Sequence, residues 1–108
     1  MKRGEVWWVN LDPAIGTEIK KTRPAVIISN DSANKFLNRV QIIPLTSNVE
    51  NCYQSEAIIK LNGKDSKAMA DQITTADKKR LKDKIGSVSS KDMMAIEKAV
   101  KIQLGLPL

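Results

Sequence analysis

Apolar residues fall in short runs along this chain, and the period of the runs changes once. The stretch from Glu5 to Leu11 alternates loosely and is rich in Val and Trp, side chains that fit a pleated, half-buried surface. It predicts a first strand, which Asp12-Pro13 stops. Pro24 opens a second run, Ala25-Val26-Ile27-Ile28-Ser29, whose continuous β-branched character predicts a strand buried on both faces. A third strand is predicted over Val40 to Thr46; Pro44, with no N–H for the ladder, points to an edge or a bulge there. Shorter strands follow at Glu56 to Leu61 and Lys67 to Ala70, separated by a turn at Asn62-Gly63-Lys64-Asp65. Asn30 to Asn38 reads as a loop with one helical turn at Ser32 to Phe36.

Near the end the spacing becomes helical. Ser89 and Ser90 supply N-cap hydroxyls, Asp92 follows three residues after Ser89, and Met93, Ile96, Val100 and Leu104 fall on one face before Gly105 and Pro107 close the helix. The methionines read as core filler. Five short strands followed by an amphipathic helix imply a mainly β fold, a small barrel or sandwich with the helix laid against it.

The 108 residues suit one domain, taken as 1–108, with no low-complexity tract to mark a linker. No apolar run approaches the roughly 20 residues that span a bilayer, and the first residues lead into no signal-peptide core, so a cytoplasmic protein with no membrane association is expected. Cys52 is the sole cysteine and reads as an inert loop or edge residue. The net charge of +6 favours a polyanionic partner, though a merely soluble basic surface explains it as well. Histidine is absent, which removes the usual zinc ligand and the usual neutral-pH acid and base. Any chemistry here falls to Arg, Lys, carboxylates and hydroxyls, with no metal or cofactor expected.

Three constellations could carry it. The segment from Asp12 to Thr22 is polar and long for a hairpin, and it contains Gly16-Thr17-Glu18 and Lys20-Lys21 before Arg23-Pro24. Pro24 biases Arg23 toward an extended conformation, and a guanidinium fork matches phosphate oxygens in pairs. An ion pair of Arg23 with Glu18 or Asp71 explains the residue equally well. Thr46-Ser47-Asn48 ends a strand in groups that donate to phosphate or base edges, and also in residues that simply favour turns. Asp71-Gln72 leads into Lys78-Lys79-Arg80 and Lys82; Gln72 has base-edge chemistry, and the basic run either follows a phosphate backbone or forms a solvated face.

Taken in order, Lys2-Arg3-Gly4-Glu5-Val6-Trp7, Leu11-Asp12-Pro13, Gly16-Thr17-Glu18, Thr22-Arg23-Pro24-Ala25-Val26-Ile27, Pro44 to Thr46 and Asp71-Gln72-Ile73-Thr74-Thr75 resemble the MazF/PemK family of toxin endoribonucleases. The resemblance implies an SH3-like barrel of five or more strands with short helices and a C-terminal helix. It also implies a homodimer, and cleavage of single-stranded RNA to 2′,3′-cyclic phosphate and 5′-hydroxyl ends. It further implies an acidic antitoxin of the MazE type as partner. In the MazF branch the catalytic pair is the Arg before Pro and the Thr after the third strand, which match Arg23 and Thr46; Glu18 matches a further assigned Glu. The candidate RNA contacts are Thr17, Lys20, Lys21, Ser47, Asn48 and Gln72. The PemK/Kid branch has a His and an Arg where this chain has Thr17 and Met69, so only Asp71 remains of that arrangement, as a weaker candidate.

Two rival functions share parts of this picture. CcdB-like proteins are similar barrels that poison DNA gyrase, and fold alone does not separate them from nucleases. A non-catalytic nucleic-acid-binding barrel would want exposed aromatics for stacking, yet beyond Trp7 and Trp8 the chain has only Phe36 and Tyr53.

Overall fold

The computed structural model describes residues 1–12 and 21–108. Its seven strands are β1 (Glu5–Asn10), β2 (Thr22–Ile27), β3 (Arg39–Thr46), β4 (Glu56–Leu61), β5 (Lys64–Met69), β6 (Thr74–Asp77) and β7 (Leu81–Ser87); its helices are α1 (Asp31–Phe36) and α2 (Ser90–Leu104). The antiparallel sheet runs β4-β5-β3-β2-β1-β7, with β6 also on β3. The mainly β architecture expected from the sequence is therefore present, as a curled half-barrel.

β3 is the strand on which the sheet turns. One edge pairs with β2 from Ala25↔Pro44 to Ile27↔Ile42. The other edge pairs first with β6, from Arg39↔Asp77 to Ile42↔Thr74, and then with β5 at Leu45↔Ala68 and Thr46↔Lys67. A 3₁₀ turn at Ala70–Gln72 separates β5 from β6. Of the edge or bulge that its missing N–H suggested, the edge is overturned: Pro44 is buried in a central strand. It is tolerated because it falls between Ile42 and Leu45, where β3 changes partner on its far side and the ladder is interrupted.

Strand alternation sorts the apolar side chains onto two faces. Val6, Val26, Ile43, Leu45, Ala57, Ile59, Ala68 and Ala70 pack with Met93, Ile96 and Ala99 of α2. Val9, Ala25, Ile27, Val40, Ile42, Ala76 and Leu81 form a second cluster, with Trp7 and Leu11 against it. The helix begins as expected: the Ser89 hydroxyl accepts from the Asp92 N–H at 3.1 Å, and Gly105 closes it at φ 68°. Leu104, however, is 54% exposed, a correction to its place on the buried face. The contact face ends one turn earlier, at Ala99 and the partly buried Val100.

The β4–β5 turn is tighter than the four residues expected. Leu61 pairs with Lys64, leaving Asn62 and Gly63 as a two-residue loop with φ of 51° and 80°. This is the Asn-Gly hairpin geometry, whose left-handed residues match the twist of the strands.

At the other end of the sheet Glu5 ties β1 to β7. Its carboxylate accepts from the Lys2 N–H and from Trp7 Nε1, both at 3.0 Å, and lies 3.2 Å from Lys84 Nζ. Burial pushes this carboxyl upward, but the bonds from Trp7, Lys2 and Lys84 and the N-terminal charge outweigh it and bring the group from 4.5 down to about 2. A lowered carboxylate stabilises the fold at pH above 4.5 and loses that contribution as the pH falls toward 2. With half-exposed Lys84 screened by water, the contribution is on the order of 1–2 kcal/mol. Glu5→Gln is expected to lower stability to urea by about that amount at pH 7 and to flatten the decline between pH 4.5 and 2. An acid decline as steep as that of the parent would contradict this assignment.

Candidate active site

The sequence-predicted pair lies on adjacent strands. The β2–β3 ladder ends at Ala25↔Pro44, and Arg23 on β2 and Thr46 on β3 each lie two residues beyond that last pair. On its other side Arg23 faces Val9 of β1, and Thr46 faces Lys67 of β5. Arg23 shares the face of Ala25, and Thr46 that of Ile42; both side chains therefore leave the sheet on the side away from α2.

Arg23 is half-buried, and its Nε is fully buried with no hydrogen-bond partner among the described residues. Among the described residues it forms no ion pair, so the bridge to Asp71 that the sequence left open is not formed. A buried donor without an acceptor costs free energy unless something supplies one. Thr46 is partly exposed, and its Oγ1 accepts from the Asn48 N–H at 3.2 Å. With that role met locally, its O–H proton is left to point elsewhere.

The residues on either side of 13–20 are tied to each other and to Arg80. Asp12 Oδ1 accepts from the Lys21 N–H at 2.9 Å, and the Leu11 N–H donates to the Lys21 carbonyl at 3.0 Å. Arg80 Nη1 donates to the Asn10 and Asp12 carbonyls at 3.1 and 2.6 Å. Lys21 itself adopts φ 69° and is exposed. The candidates Thr17, Glu18 and Lys20 lie outside the described residues.

The other candidates divide. Ser47 and Asn48 continue from Thr46 as exposed groups. Exposed Asp71 and half-buried Gln72 sit on the 3₁₀ turn at the far edge of β3, one strand away from Arg23. The basic run forms a 3₁₀ turn at Lys78–Arg80 and then enters β7: Lys78 Nζ donates to the Asn34 carbonyl, Arg80 to the Asn10 and Asp12 carbonyls, and Lys82 and Lys84 lie on the strand. Two of its charges are structural clamps because backbone carbonyls at chain reversals need donors.

Reasoning from sequence missed Lys67. It is 7% exposed, and its Nζ lies 3.3 Å from Glu56 Oε1. Little in the sequence marked it: β5 reads Lys64-Asp65-Ser66-Lys67-Ala68-Met69, and its partner Glu56 lies in the preceding strand of the same hairpin. A cleft of about 530 Å³ opens between β4 and α2, but neither Arg23 nor Thr46 lines it.

A family model described as PemK-like, MazF-like toxin of type II toxin-antitoxin system matches residues 2–104. The chain belongs to the PemK/MazF toxin family. It is 37% identical to Endoribonuclease MazF9 of Mycobacterium tuberculosis, covering 98% of each chain. It is likewise 37% identical to Endoribonuclease MazF of Staphylococcus saprophyticus, over 98% of this chain and 92% of the relative. A mycobacterial endoribonuclease solved in complex with its cognate antitoxin superposes with a TM-score of 0.84 at 26% identity, covering 100% of this chain and 98% of the other. MazF from Deinococcus radiodurans shares the fold at a TM-score of 0.87 and 22% identity, over 98% and 97% of the two chains.

PemK/MazF membership decides between the rival barrels. Relatives named as endoribonucleases over almost their full length favour RNA cleavage over gyrase poisoning. Within this PemK/MazF chain, the Arg-Pro and Pro-x-Thr elements that carried the resemblance end up on adjacent strands, at the Ala25↔Pro44 end of the β2–β3 ladder. Among the described residues no helix is long and apolar enough to cross a membrane.

Proposed function

We propose that this PemK/MazF-family endoribonuclease cuts single-stranded RNA without a metal ion, through attack of the RNA's own 2′-oxygen on the adjacent phosphorus, with Arg23 and Thr46 as its phosphate-handling pair. The observation that carries the assignment is that Arg23 and Thr46 lie just past the Ala25↔Pro44 end of the β2–β3 ladder and on one face of the sheet, with a buried guanidinium nitrogen that lacks an acceptor among the described residues. A phosphate oxygen is the acceptor that such a fork fits.

In the reaction the 2′-O–P bond forms and the P–O5′ bond breaks, giving a 2′,3′-cyclic phosphate and a 5′-hydroxyl. The 2′-hydroxyl proton leaves to a base, for which the family pattern offers Glu18, and the departing 5′-oxygen takes up a proton. Arg23 stabilises the charge that grows on the phosphorane, and the free O–H of Thr46 donates to a non-bridging oxygen. Groups of this kind act most strongly when they are already oriented, each contributing about 10²–10³ in rate. Strand positions supply that orientation.

An acidic antitoxin segment suits the same face. The +6 chain attracts polyanions, and the mycobacterial relative was solved with its cognate antitoxin.

The test is cleavage of end-labelled RNA by purified protein in EDTA, with the new ends mapped chemically. Undiminished cutting and a cyclic phosphate are expected. Loss of activity in EDTA, or a free 3′-hydroxyl on the upstream product, would overturn the mechanism.

A further inference from the structure

Lys67 is a buried charge that the proposed reaction does not use, and it adjoins the residue that does. It stands opposite Thr46 on β5, on the same face of the sheet. Its Nζ reaches both Glu56 Oε1 and the Glu50 carbonyl at 3.3 Å. Glu56 Oε1 accepts in turn from the Tyr53 N–H at 2.9 Å. One ammonium thus gathers the middle and the end of the segment between Thr46 and Glu56, which begins with exposed Ser47 and Asn48.

Fold stability alone gives little reason for this arrangement. A buried ion pair is often no better than apolar side chains of the same volume, whereas one partner without the other is strongly destabilising. What the pair does supply is a fixed path for a segment that otherwise has few anchors. Its backbone and its hydroxyl and amide side chains have the chemistry to read unstacked bases next to a bound phosphate.

We propose that Lys67 is a positioning residue: by tying Glu50 and Glu56 it fixes the segment after Thr46, and so selects the bases accepted beside the scissile phosphate. The inference rests on the reading of Arg23 and Thr46 given above. Without the tie the segment must be ordered at each binding event, which weakens substrate capture and discrimination. Arg23 and Thr46, held by strands, keep the phosphate chemistry.

Lys67→Met alone strands the Glu56 charge, so the informative variant is Lys67→Met with Glu56→Gln, which removes both charges and keeps an acceptor for Tyr53. This double variant is expected to melt near the parent, to keep kcat within about threefold, to raise KM about tenfold, and to cut at additional sites when the 5′ ends are sequenced. Lys67→Arg, which keeps the charge, is expected to restore the parent's set of sites. A double variant with the parent's KM and cut sites overturns the inference. Thr46→Ala run in parallel separates the two layers. If it cuts like the parent, the reading of the site and the inference fall together; if it is inactive while the Lys67 variants are unchanged, only the inference falls.

Discussion

Arg23→Lys is expected to reduce kcat for RNA cleavage by roughly 10²–10³-fold, with a much smaller change in KM. The substitution keeps the positive charge, so attraction of the RNA backbone survives. It removes the planar fork, and with it the paired donors that follow the phosphate oxygens as they spread toward the pentacoordinate geometry. Position makes the loss specific. Arg23 enters β2 just before Pro24, faces Val9 across the ladder, and has no ion pair among the described residues to lose. The melting temperature is therefore expected to stay within a few degrees of the parent, since the change breaks no bond among the described residues and removes a buried donor that has no acceptor there. The two readouts together separate catalysis from structure. A structural arginine would lower stability and leave kcat of the folded protein alone; the opposite pattern is expected here. Equal cleavage by Arg23→Lys and parent would remove Arg23 from the active site.

The parts of this molecule that were legible in sequence are those whose information is local and apolar. The β-branched runs of β2 and β3 announced the centre of the sheet, and the Ser89 and Gly105 caps announced α2. β6 and β7 gave no such signal. Thr74–Asp77 buries only Ala76, and Leu81–Ser87 buries only Leu81, so neither shows a period; their charged positions suit strands near a sheet edge, where bare ladder groups invite aggregation. Arg23 and Thr46 were visible as residue types with suitable chemistry, but their placement on adjacent strands depends on a pairing that no local pattern encodes. For the same reason Lys67 passed unnoticed: a lysine in a short strand carries no mark of burial until Glu56 is known to lie across the hairpin beside it. The basic run misled in the other direction, because Lys78 and Arg80 look solvated in one dimension and clamp carbonyls in three.

Ile96→Ala carries the largest expected effect on stability, about 2–5 kcal/mol. Ile96 is fully buried in the cluster that joins α2 to Val26, Ile43 and Leu45 on the two central strands. Its removal takes apolar surface out of the core and leaves a cavity lined by strands that pair on both sides and cannot close in. Domains of this size have only about 5–15 kcal/mol in total, so the urea midpoint is expected to fall by a large fraction. Leu104→Ala makes the control. It lies on the same helical stripe in sequence but is 54% exposed, and a change within about 0.5 kcal/mol is expected. Equal costs at the two positions would show that the helix docks one turn further along than described. The same pair also tests the division of the sheet into two faces. Ile96 packs on the side of Val26 and Leu45, while Arg23 and Thr46 emerge on the other, so Ile96→Ala protein that remains folded at low temperature is expected to keep the parent's kcat. A drop in kcat under those conditions would mean that strain crosses β3 from the core to the face that carries Arg23 and Thr46, making α2 part of what positions the two proposed residues.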